Sequence, residues 1–359
     1  MNLPPPLPPP PPPPKHRWWR IAVVAVVFGV VLGSLGAYID VPYYTLGPGP
    51  AKDVSELVHV SGERVYPSSG NFFLTTVAVS SREVSLFEAF IAWIARDQTL
   101  VKRDVVVQPG LTDEQQSQYN LLDMEQSKYE ALLAALRATG FDTPAIRGAR
   151  VIGVAAGFPA DKKLLRGDLI VEVDGAAVRT PAETVERIVS KPIGSKLSVT
   201  VLRGDDRITT EMRSIASPIK LKEEKDRPVL GIRLANAVRL PGFDVTIDSQ
   251  NIGGPSAGLA FALTIVDVLT TEDFTRGHHV AVTGTIDGEG HVGPVGGVEF
   301  KVVAAEREGA DIFLVPADEF DQARGAASDK LRVIGVSTLE EALAQLRKLA
   351  QVVPRSRRR

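Results

Sequence analysis

A serine in a glycine-rich turn is the residue of this chain best placed to do chemistry. Ser256 lies in GGPSAG, residues 253–258, directly before an apolar stretch at 259–269 that predicts a buried helix. Pro255 suits the first position of that helix, where its missing N–H is not needed. Free N–H groups at a helix start stabilise a developing oxyanion, so the pattern indicates acyl transfer by the serine. The residues expected to form the turn and the oxyanion site are Gly254, Pro255 and Ala257.

A nucleophilic serine needs a base, and a lysine is the candidate. None of the five histidines lies in a recognisable triad setting, although residues distant in sequence can still meet in space. Lys301 follows a second glycine-rich turn and precedes apolar residues 302–305, so it is expected near a helix start among apolar neighbours. Burial lowers the pKa of a lysine amine and lets it act as a base. The alternatives are a helix-capping Ser256 and a solvated surface lysine.

The two motifs together resemble one protein family. GGPSAG followed by VTGTIDGEGHVGPVGGVEFK, residues 282–301, is similar to the proteolytic domain of Lon and Lon-like proteases. The resemblance implies that Ser256 is the nucleophile, Lys301 the general base, and Thr283 a residue that helps to position the lysine. ATP-dependent members often carry an acidic residue where this chain has Gly253. The chain also lacks a Gly-x-x-x-x-Gly-Lys-Ser/Thr phosphate-binding motif, so cleavage without ATP is expected.

The composition bounds the other possibilities. A chain of 359 residues with 44% hydrophobic residues can form two or three domains. Its net charge of −2 argues against a nucleic-acid binder. The absence of cysteine excludes disulfides and thiolate metal sites. The acidic run at residues 113–116 has no histidine near it and is expected to begin a helix, so neither a metal nor a cofactor is predicted.

An apolar segment near the N-terminus predicts a membrane anchor. Residues 1–20 form a proline-rich basic tail, and residues 21–39 form an uncharged run about 28 Å long as a helix, close to the thickness of the bilayer hydrocarbon. Trp18 and Trp19 stand at its entrance, and Asp40 follows it. The basic residues before it are Lys15, Arg17 and Arg20. The charge asymmetry predicts a single-pass cell-membrane protein with a cytoplasmic N-terminus and an extracytoplasmic catalytic domain. A cleaved signal peptide is the alternative.

Two further regions precede the proteolytic motifs. Residues 40–140 are predicted as a separate N-terminal α/β region with a strand at 72–79, a helix at 86–94 and a helical stretch over 113–136. The segment GFPADKKLLRGDLIVEVDG, residues 157–175, resembles the core of a PDZ domain and predicts a β-rich domain.

The PDZ-like domain is expected over residues 141–217, with one helix at 181–189. Such domains capture extended C-terminal peptides, so a peptide of this kind is a possible partner. The glycine-containing loop that binds the peptide carboxylate is not evident before Arg150, and Gly140-Phe141 is a weak substitute.

The remaining boundaries follow from composition. A charge-rich stretch ending in proline predicts a linker at residues 218–228. Ser217 and Lys220, at its start, match the Ser-x-x-Lys pattern of penicillin-binding enzymes, but the other motifs of those enzymes are absent. The Lon-type proteolytic domain is expected over 229–352, and a basic tail over 353–359.

The sequence therefore predicts a multidomain α/β protein that resembles membrane-anchored bacterial Lon-like proteases with a PDZ domain. The expected activity is serine endopeptidase cleavage of unfolded or flexible proteins and peptides by a Ser-Lys dyad. The resemblance also implies a homo-oligomer. Two alternatives stay open: a PDZ-containing adaptor with an inactive protease fold, motivated by Gly253, and a structural protein of the membrane surface.

Overall fold

The computed structural model of the chain describes residues 17–95, 97–218 and 226–350. The predicted proline tract, most of the predicted linker and the basic tail lie outside these ranges. Helix α1 (Arg17–Gly36) begins four residues before the predicted span and ends three residues before its predicted end. The earlier end has a local reason, because Asp40 forms a β-bridge with Ser85 and the chain has to leave the helix to reach it.

Eighteen strands follow α1 within the described residues. In chain order they are β1 (Tyr43–Asp53), β2 (Val58–Ser61), β3 (Asn71–Val79), β4 (Thr99–Lys102), β5 (Ala145–Val154), β6 (Leu169–Val173), β7 (Ala176–Ala177), β8 (Lys196–Arg203), β9 (Asp206–Arg213), β10 (Ile215–Ala216), β11 (Pro228–Val229), β12 (Ile232–Val238), β13 (Asp244–Ile247), β14 (His279–Val282), β15 (Thr285–Ile286), β16 (Val292–Gly293), β17 (Ile312–Pro316) and β18 (Arg332–Val336).

Further helices alternate with these strands. They are α2 (Leu86–Ile94), α3 (Arg103–Val106), α4 (Asp113–Ala138), α5 (Pro181–Val189), α6 (Gly258–Leu269), α7 (Val298–Glu308), α8 (Phe320–Ala326) and α9 (Leu339–Arg347), with short 3-10 turns at Val54–Glu56 and Ala317–Glu319. The predicted helices at 86–94 and 181–189 are confirmed to the residue. Helix α4 confirms the predicted helical stretch, and a capping box of Thr112 and Gln115 fixes its start.

The proteolytic region is built on a six-stranded sheet with strand order β18-β17-β14-β3-β1-β4. Strands β3, β14, β17 and β18 run parallel to one another. Strand β1 pairs antiparallel with β3 on one side and with β4 on the other. Alternate residues of each strand face opposite sides, so the sheet buries two apolar surfaces. Helices α4, α6 and α9 cover one surface, and α7 and α8 cover the other. The result is a three-layer α/β/α domain.

This topology departs from the predicted division of the chain. Strands β1, β3 and β4 belong to the predicted N-terminal region, yet they share the sheet with strands that lie some 200 residues later. Helix α4 of the same region packs on α6 in the main core. The predicted separate region at 40–140 is therefore part of the proteolytic domain, because β3 pairs with β14 and its buried Phe72 and Leu74 share one core with α6.

The PDZ-like part is inserted into that domain between α4 and β13. Its sheet has the order β12-β5-β6-β8-β9, with β7 paired to β6. The edge strand β12 was expected in the proteolytic domain, but it pairs with β5 from Ile232 to Val238. Strands β10 and β11 pair on either side of the linker residues. The PDZ-like unit thus extends past the predicted boundary at 217 and closes with β12.

Candidate active site

The turn that carries Ser256 is pinned to the end of β14. Helix α6 begins at Gly258, so Ser256 precedes its N-cap, and the prediction that Pro255 takes the first helical position is wrong. Gly284 N donates to the Ser256 carbonyl at 3.0 Å, and Leu259 N donates to the Gly284 carbonyl at 3.1 Å. These bonds hold the half-buried serine at the carboxyl end of a parallel strand, where α/β folds place their sites.

Lys301 reaches the serine from the opposite face of the sheet. It lies in the first turn of α7, after Gly297, whose φ of 65° is in the left-handed region that favours glycine. Its side chain is 2% exposed. The Lys301 Nζ lies 2.7 Å from Ser256 Oγ and 2.9 Å from Thr283 Oγ1. Helices α6 and α7 lie in opposite layers of the domain, yet both begin at the same edge of the central sheet. Ser256, Lys301 and Thr283 therefore come together.

Thr283 continues β14 and is fully buried. Its N–H donates to the Leu314 carbonyl of β17 at 3.0 Å, which fixes the residue at the strand end. Its hydroxyl accepts from Lys301 Nζ and makes a long contact of 3.4 Å to the Ser256 carbonyl. One N–H of a neutral amine is thereby occupied, and the nitrogen lone pair is left to accept the proton of Ser256.

Burial changes the pKa of the Lys301 amine. Loss of hydration lowers the pKa of Lys301 from its ordinary 10.5 to about 8, and the negative charge of Glu319 acts in the opposite sense. Glu319 itself is half-buried, and burial raises the pKa of its carboxyl. Both Glu319 oxygens accept from Val295 N, at 3.2 and 3.1 Å. A lysine so tuned is partly neutral near neutral pH and can take a proton from a hydroxyl.

Gly253, which departs from the family pattern, has a steric role in this chain. A Cβ at this position would lie 2.9 Å from Asn120 Cβ of helix α4 and 3.3 Å from the Asn120 carbonyl carbon. The next N–H, of Gly254, donates to the Asn120 carbonyl at 2.7 Å. An acidic side chain at 253 would force α4 away from the turn. The close approach of α4 therefore favours glycine at this position.

The donors around the serine differ in part from the prediction. Gly254 uses its N–H on Asn120, and Pro255 has none, so both serve as turn backbone. The N–H groups of Ser256 and Ala257 donate no hydrogen bond to any residue that the structure describes. They lie at the start of α6, where the helix dipole favours negative charge. Ala257 is thus the one residue of the predicted set that offers a donor.

A cleft of about 460 Å³ opens beside the serine and lysine. One wall is β3, the other is the loop before α6, and the lining residues are Pro50, Lys52, Leu74, Thr75, Thr76, Val77, Met124, Gln250, Asn251, Ile252, Gly253, Ser256, Ala257, Gly296 and Lys301. No histidine lies among them. Thr75 Oγ1 is buried in this wall without a hydrogen-bond partner among the described residues. The cleft is large enough for several residues of an extended peptide.

A second, more apolar groove of about 920 Å³ lies between α5, the chain that enters β12, and the first half of α4. Val185 and Val189 of α5 line it together with Leu230 and Ile232. Gly231 lies between the last two with a φ of 78°, and a Cβ there would meet Phe158 at 2.1 Å, so glycine is required. Gly140-Phe141, the weak sequence candidate for the glycine loop, is not part of this groove.

The arrangement is that of a serine-type peptidase domain interrupted by a PDZ-like insertion. Residues 249–348 match the Lon protease (S16) C-terminal proteolytic domain, and residues 120–213 match the PDZ domain. The chain therefore carries a Lon-type proteolytic domain and a PDZ domain, as the sequence predicts.

Two Lon proteases are similar to the C-terminal part of the chain, and a solved PDZ domain is similar to another part. The Lon protease of Azorhizobium caulinodans is 41% identical over 93 residues, and that of Neorickettsia sennetsu is 38% identical over 93 residues. Each match covers 25% of this chain and only 11% of the relative. The PDZ domain of an SdrC-like protein from Listeria monocytogenes is 31% identical, covers 24% of this chain and 87% of that chain, and has a TM-score of 0.22.

Sequence reasoning missed three residues that shape the site: Glu319, Asn120 and Thr75. Glu319 could have been found, since it follows β17 at the edge where β14 also ends, and parallel strands share their carboxyl edge. The other two belong to the region that was assigned to a separate unit, so no local pattern relates them to Ser256.

Proposed function

We propose that this chain is a membrane-anchored, extracytoplasmic endopeptidase that works without ATP through a dyad of Ser256 and Lys301. The observation that carries the proposal is the 2.7 Å contact between a half-buried hydroxyl and a buried amine of lowered pKa. Nucleophile and base lie within hydrogen-bond reach, and Thr283 orients the base, which is the relation that covalent catalysis requires.

The reaction proceeds in two halves. Neutral Lys301 accepts the Ser256 proton while the serine oxygen attacks the peptide carbonyl, and the protonated amine then gives the proton to the leaving nitrogen. A water molecule hydrolyses the acyl-enzyme with the same lysine as base. The N–H groups of Ser256 and Ala257 stabilise the tetrahedral oxyanion, which is typically one of the larger contributions to such catalysis.

The substrates are unfolded or flexible chains. The chain carries no phosphate-binding motif for ATP-driven unfolding, and the cleft between β3 and the 250–257 loop accommodates extended peptide rather than a folded surface. A folded protein would first have to lose local structure.

The decisive experiment compares cleavage of an unfolded substrate by the full chain, by Ser256→Ala and by a control, Ser328→Ala, which alters an exposed serine just after α8. We expect Ser256→Ala to lose cleavage and Ser328→Ala to keep it, with the cleavage sites mapped by mass spectrometry. An activated ester that acylates faster than it deacylates should leave its acyl group on Ser256. Equal cleavage by Ser256→Ala and the unchanged chain would reject the dyad and favour an adaptor with an inactive protease fold.

Membrane attachment is proposed from α1, whose residues Trp18–Gly36 are long and apolar enough to cross a bilayer. Basic residues before it and Asp40 after it favour an extracytoplasmic proteolytic domain. The chain has no cysteine, so a single Cys introduced at Leu165 reports orientation. We expect a membrane-impermeant maleimide to label it in intact cells, and labelling only after lysis would reverse the proposed topology.

The groove of the PDZ-like unit is proposed to hold a C-terminal peptide as an added strand along β12. Its apolar walls and the glycine at Gly231 support this use. Val185→Glu should weaken binding of a C-terminal peptide. Amidation of the peptide carboxylate should likewise weaken its binding to the unchanged chain.

We also propose that the chain forms a homo-oligomer, because it resembles ring-forming proteases. Mass photometry in detergent measures the number of subunits.

A further inference from the structure

Helix α2 carries an apolar face that the described residues leave largely exposed, with only its start, at Phe87, near α1. The face comprises Leu86, Phe87, Phe90, Ile91, Trp93 and Ile94, all exposed. Trp93 alone is 76% exposed. The opposite face, with Ala89 and Ala92, is buried against the domain. Nine residues thus hold six large apolar side chains outward, a concentration that a soluble surface does not tolerate without a partner.

The position of α2 is tied to the end of α1. Leu86 N donates to the Ile39 carbonyl at 2.8 Å, so the first residue of α2 is bonded to the chain three residues beyond α1. A Cβ at Gly33 would lie 3.4 Å from the Phe87 ring, and one at Gly36 would lie 3.6 Å from Phe87 N. The apolar face therefore begins against the last turn of α1, which is the end of the proposed membrane span.

Polar groups mark where this face stops. Arg82 Nη2 lies 3.0 Å from Glu88 Oε1, and Arg82 Nη1 lies 3.8 Å from Asp40 Oδ1, all on exposed side chains. Charged groups at the rim and an apolar centre with tryptophan are the composition of helices that lie in a membrane interface. A capping box of Ser85 and Glu88 makes the short helix stable before it meets lipid.

We propose that α2 is a second membrane contact, lying in the plane of the outer leaflet with Phe87, Phe90 and Trp93 among the lipid headgroups and upper acyl chains. The proposal rests on the proposed membrane anchor α1. Lipid is the occupant that the geometry favours, because the face is continuous with a span that is itself in lipid. With two contacts, the proteolytic domain cannot rotate freely about α1, and its cleft keeps a fixed direction relative to the membrane.

The test uses the full chain in vesicles of phosphatidylcholine and phosphatidylglycerol. Single cysteines are introduced by Phe90→Cys, Trp93→Cys, Val27→Cys within α1, and Leu165→Cys on the exposed PDZ-like surface, and each is labelled with an environment-sensitive fluorophore. Fluorophores at positions 90 and 93 should show blue-shifted emission and quenching by nitroxide lipids nearly as strong as the quenching at position 27. A fluorophore at position 165 should show neither effect. Cleavage of a soluble peptide by the 90 and 93 variants should be unchanged.

The outcomes separate this inference from the function proposed above. Quenching at 27 with water-like emission at 90 and 93 overturns the contact and leaves the anchor in place. Cross-linking of cysteines at 93 between two copies, without lipid quenching, overturns it in favour of a second copy on this face. Absence of lipid quenching at all positions overturns both the contact and the anchor. Ser256→Ala settles the dyad independently of all three.

Discussion

Helices α4 and α7 each bury one lysine amine, and the two amines have opposite surroundings. Lys128 of α4 is 5% exposed and Lys301 of α7 is 2% exposed. Lys128 Nζ donates to Glu125 Oε1 at 2.7 Å, whereas Lys301 Nζ donates to the hydroxyls of Ser256 and Thr283. Lys128 is therefore paired with a carboxylate, whereas the groups bonded to Lys301 are neutral and burial lowers the pKa of that amine. The surroundings of the two buried amines differ in charge, and only those of Lys301 suit a general base.

The largest effect should come from fixing the charge at each lysine. Arginine stays protonated and cannot act as a base. We expect Lys301→Arg to lower kcat/KM for an unstructured peptide by about 10³-fold or more, and Lys128→Arg to leave it nearly unchanged. Substantial activity in a folded Lys301→Arg protein, with folding checked by circular dichroism, would place the base elsewhere.

The second prediction is that removing each amine changes stability in opposite directions. The folded-state pKa of Lys301, about 8, lies below its ordinary 10.5, so the folded chain binds this proton more weakly than the unfolded chain. The resulting cost is full below about pH 8 and vanishes as pH rises toward the ordinary value. Lys301→Met should therefore raise the free energy of unfolding near neutral pH by about 1–3 kcal/mol, with the gain shrinking at alkaline pH.

The matched variant Lys128→Met should lower the free energy of unfolding by about 1–3 kcal/mol, because it leaves Glu125 with Arg166 as its one ionic partner in the part of the chain that the structure describes. Urea unfolding of both variants at two pH values measures the pair of effects. If both substitutions destabilise to the same extent at both pH values, the two amines do not differ as proposed.

Thr283 provides the third way to probe the site. Thr283→Val keeps the shape of the side chain but removes the oxygen that accepts from Lys301, so the amine loses its orientation and a buried N–H loses its acceptor. We expect kcat/KM to fall by about 10- to 100-fold with KM nearly constant. Thr283→Ser restores the oxygen and should recover most of the rate. Failure of serine to rescue would show that the methyl packing matters more than the hydroxyl.

The sequence points to each half of the dyad by a local signal, because Ser256 and Lys301 each follow a glycine-rich turn before an apolar stretch. Their pairing is what the resemblance of the two motifs to Lon proteases implies. Helices α2 and α5 also carry local signals, in their caps and apolar spacing. Local patterns also placed the strand β3.

Pairing across long stretches of chain was beyond such patterns. The residues of β3 do not indicate that it pairs with β14 rather than with strands of a separate sheet. A strand that is buried on both faces lacks the alternation of apolar and polar residues, so its pattern does not identify its place in a sheet. The insertion of the PDZ-like unit, the contact of Asn120 with the serine turn, and the placement of β12 all depend on that pairing. The predicted helix start at Pro255 failed for a smaller reason, because the chain first bonds to Gly284 and only then turns into α6.

The smallest expected effect concerns Glu319, the carboxylate of the described residues whose charge acts on Lys301. Glu319 raises the pKa of Lys301 and so partly opposes burial. Activity requires the neutral amine, so kcat/KM of the unchanged chain should rise with pH through about 8. Glu319→Gln removes the negative charge that raises the pKa of Lys301, while the amide oxygen can still accept from Val295 N. The midpoint of the pH–rate profile should therefore move to lower pH by less than about one unit. Glu125→Gln, beside the other buried lysine, should leave the midpoint in place and reduce stability instead. A midpoint that does not respond to Glu319→Gln, or that follows Glu125→Gln, would mean that the titration in the rate profile belongs to a group other than Lys301.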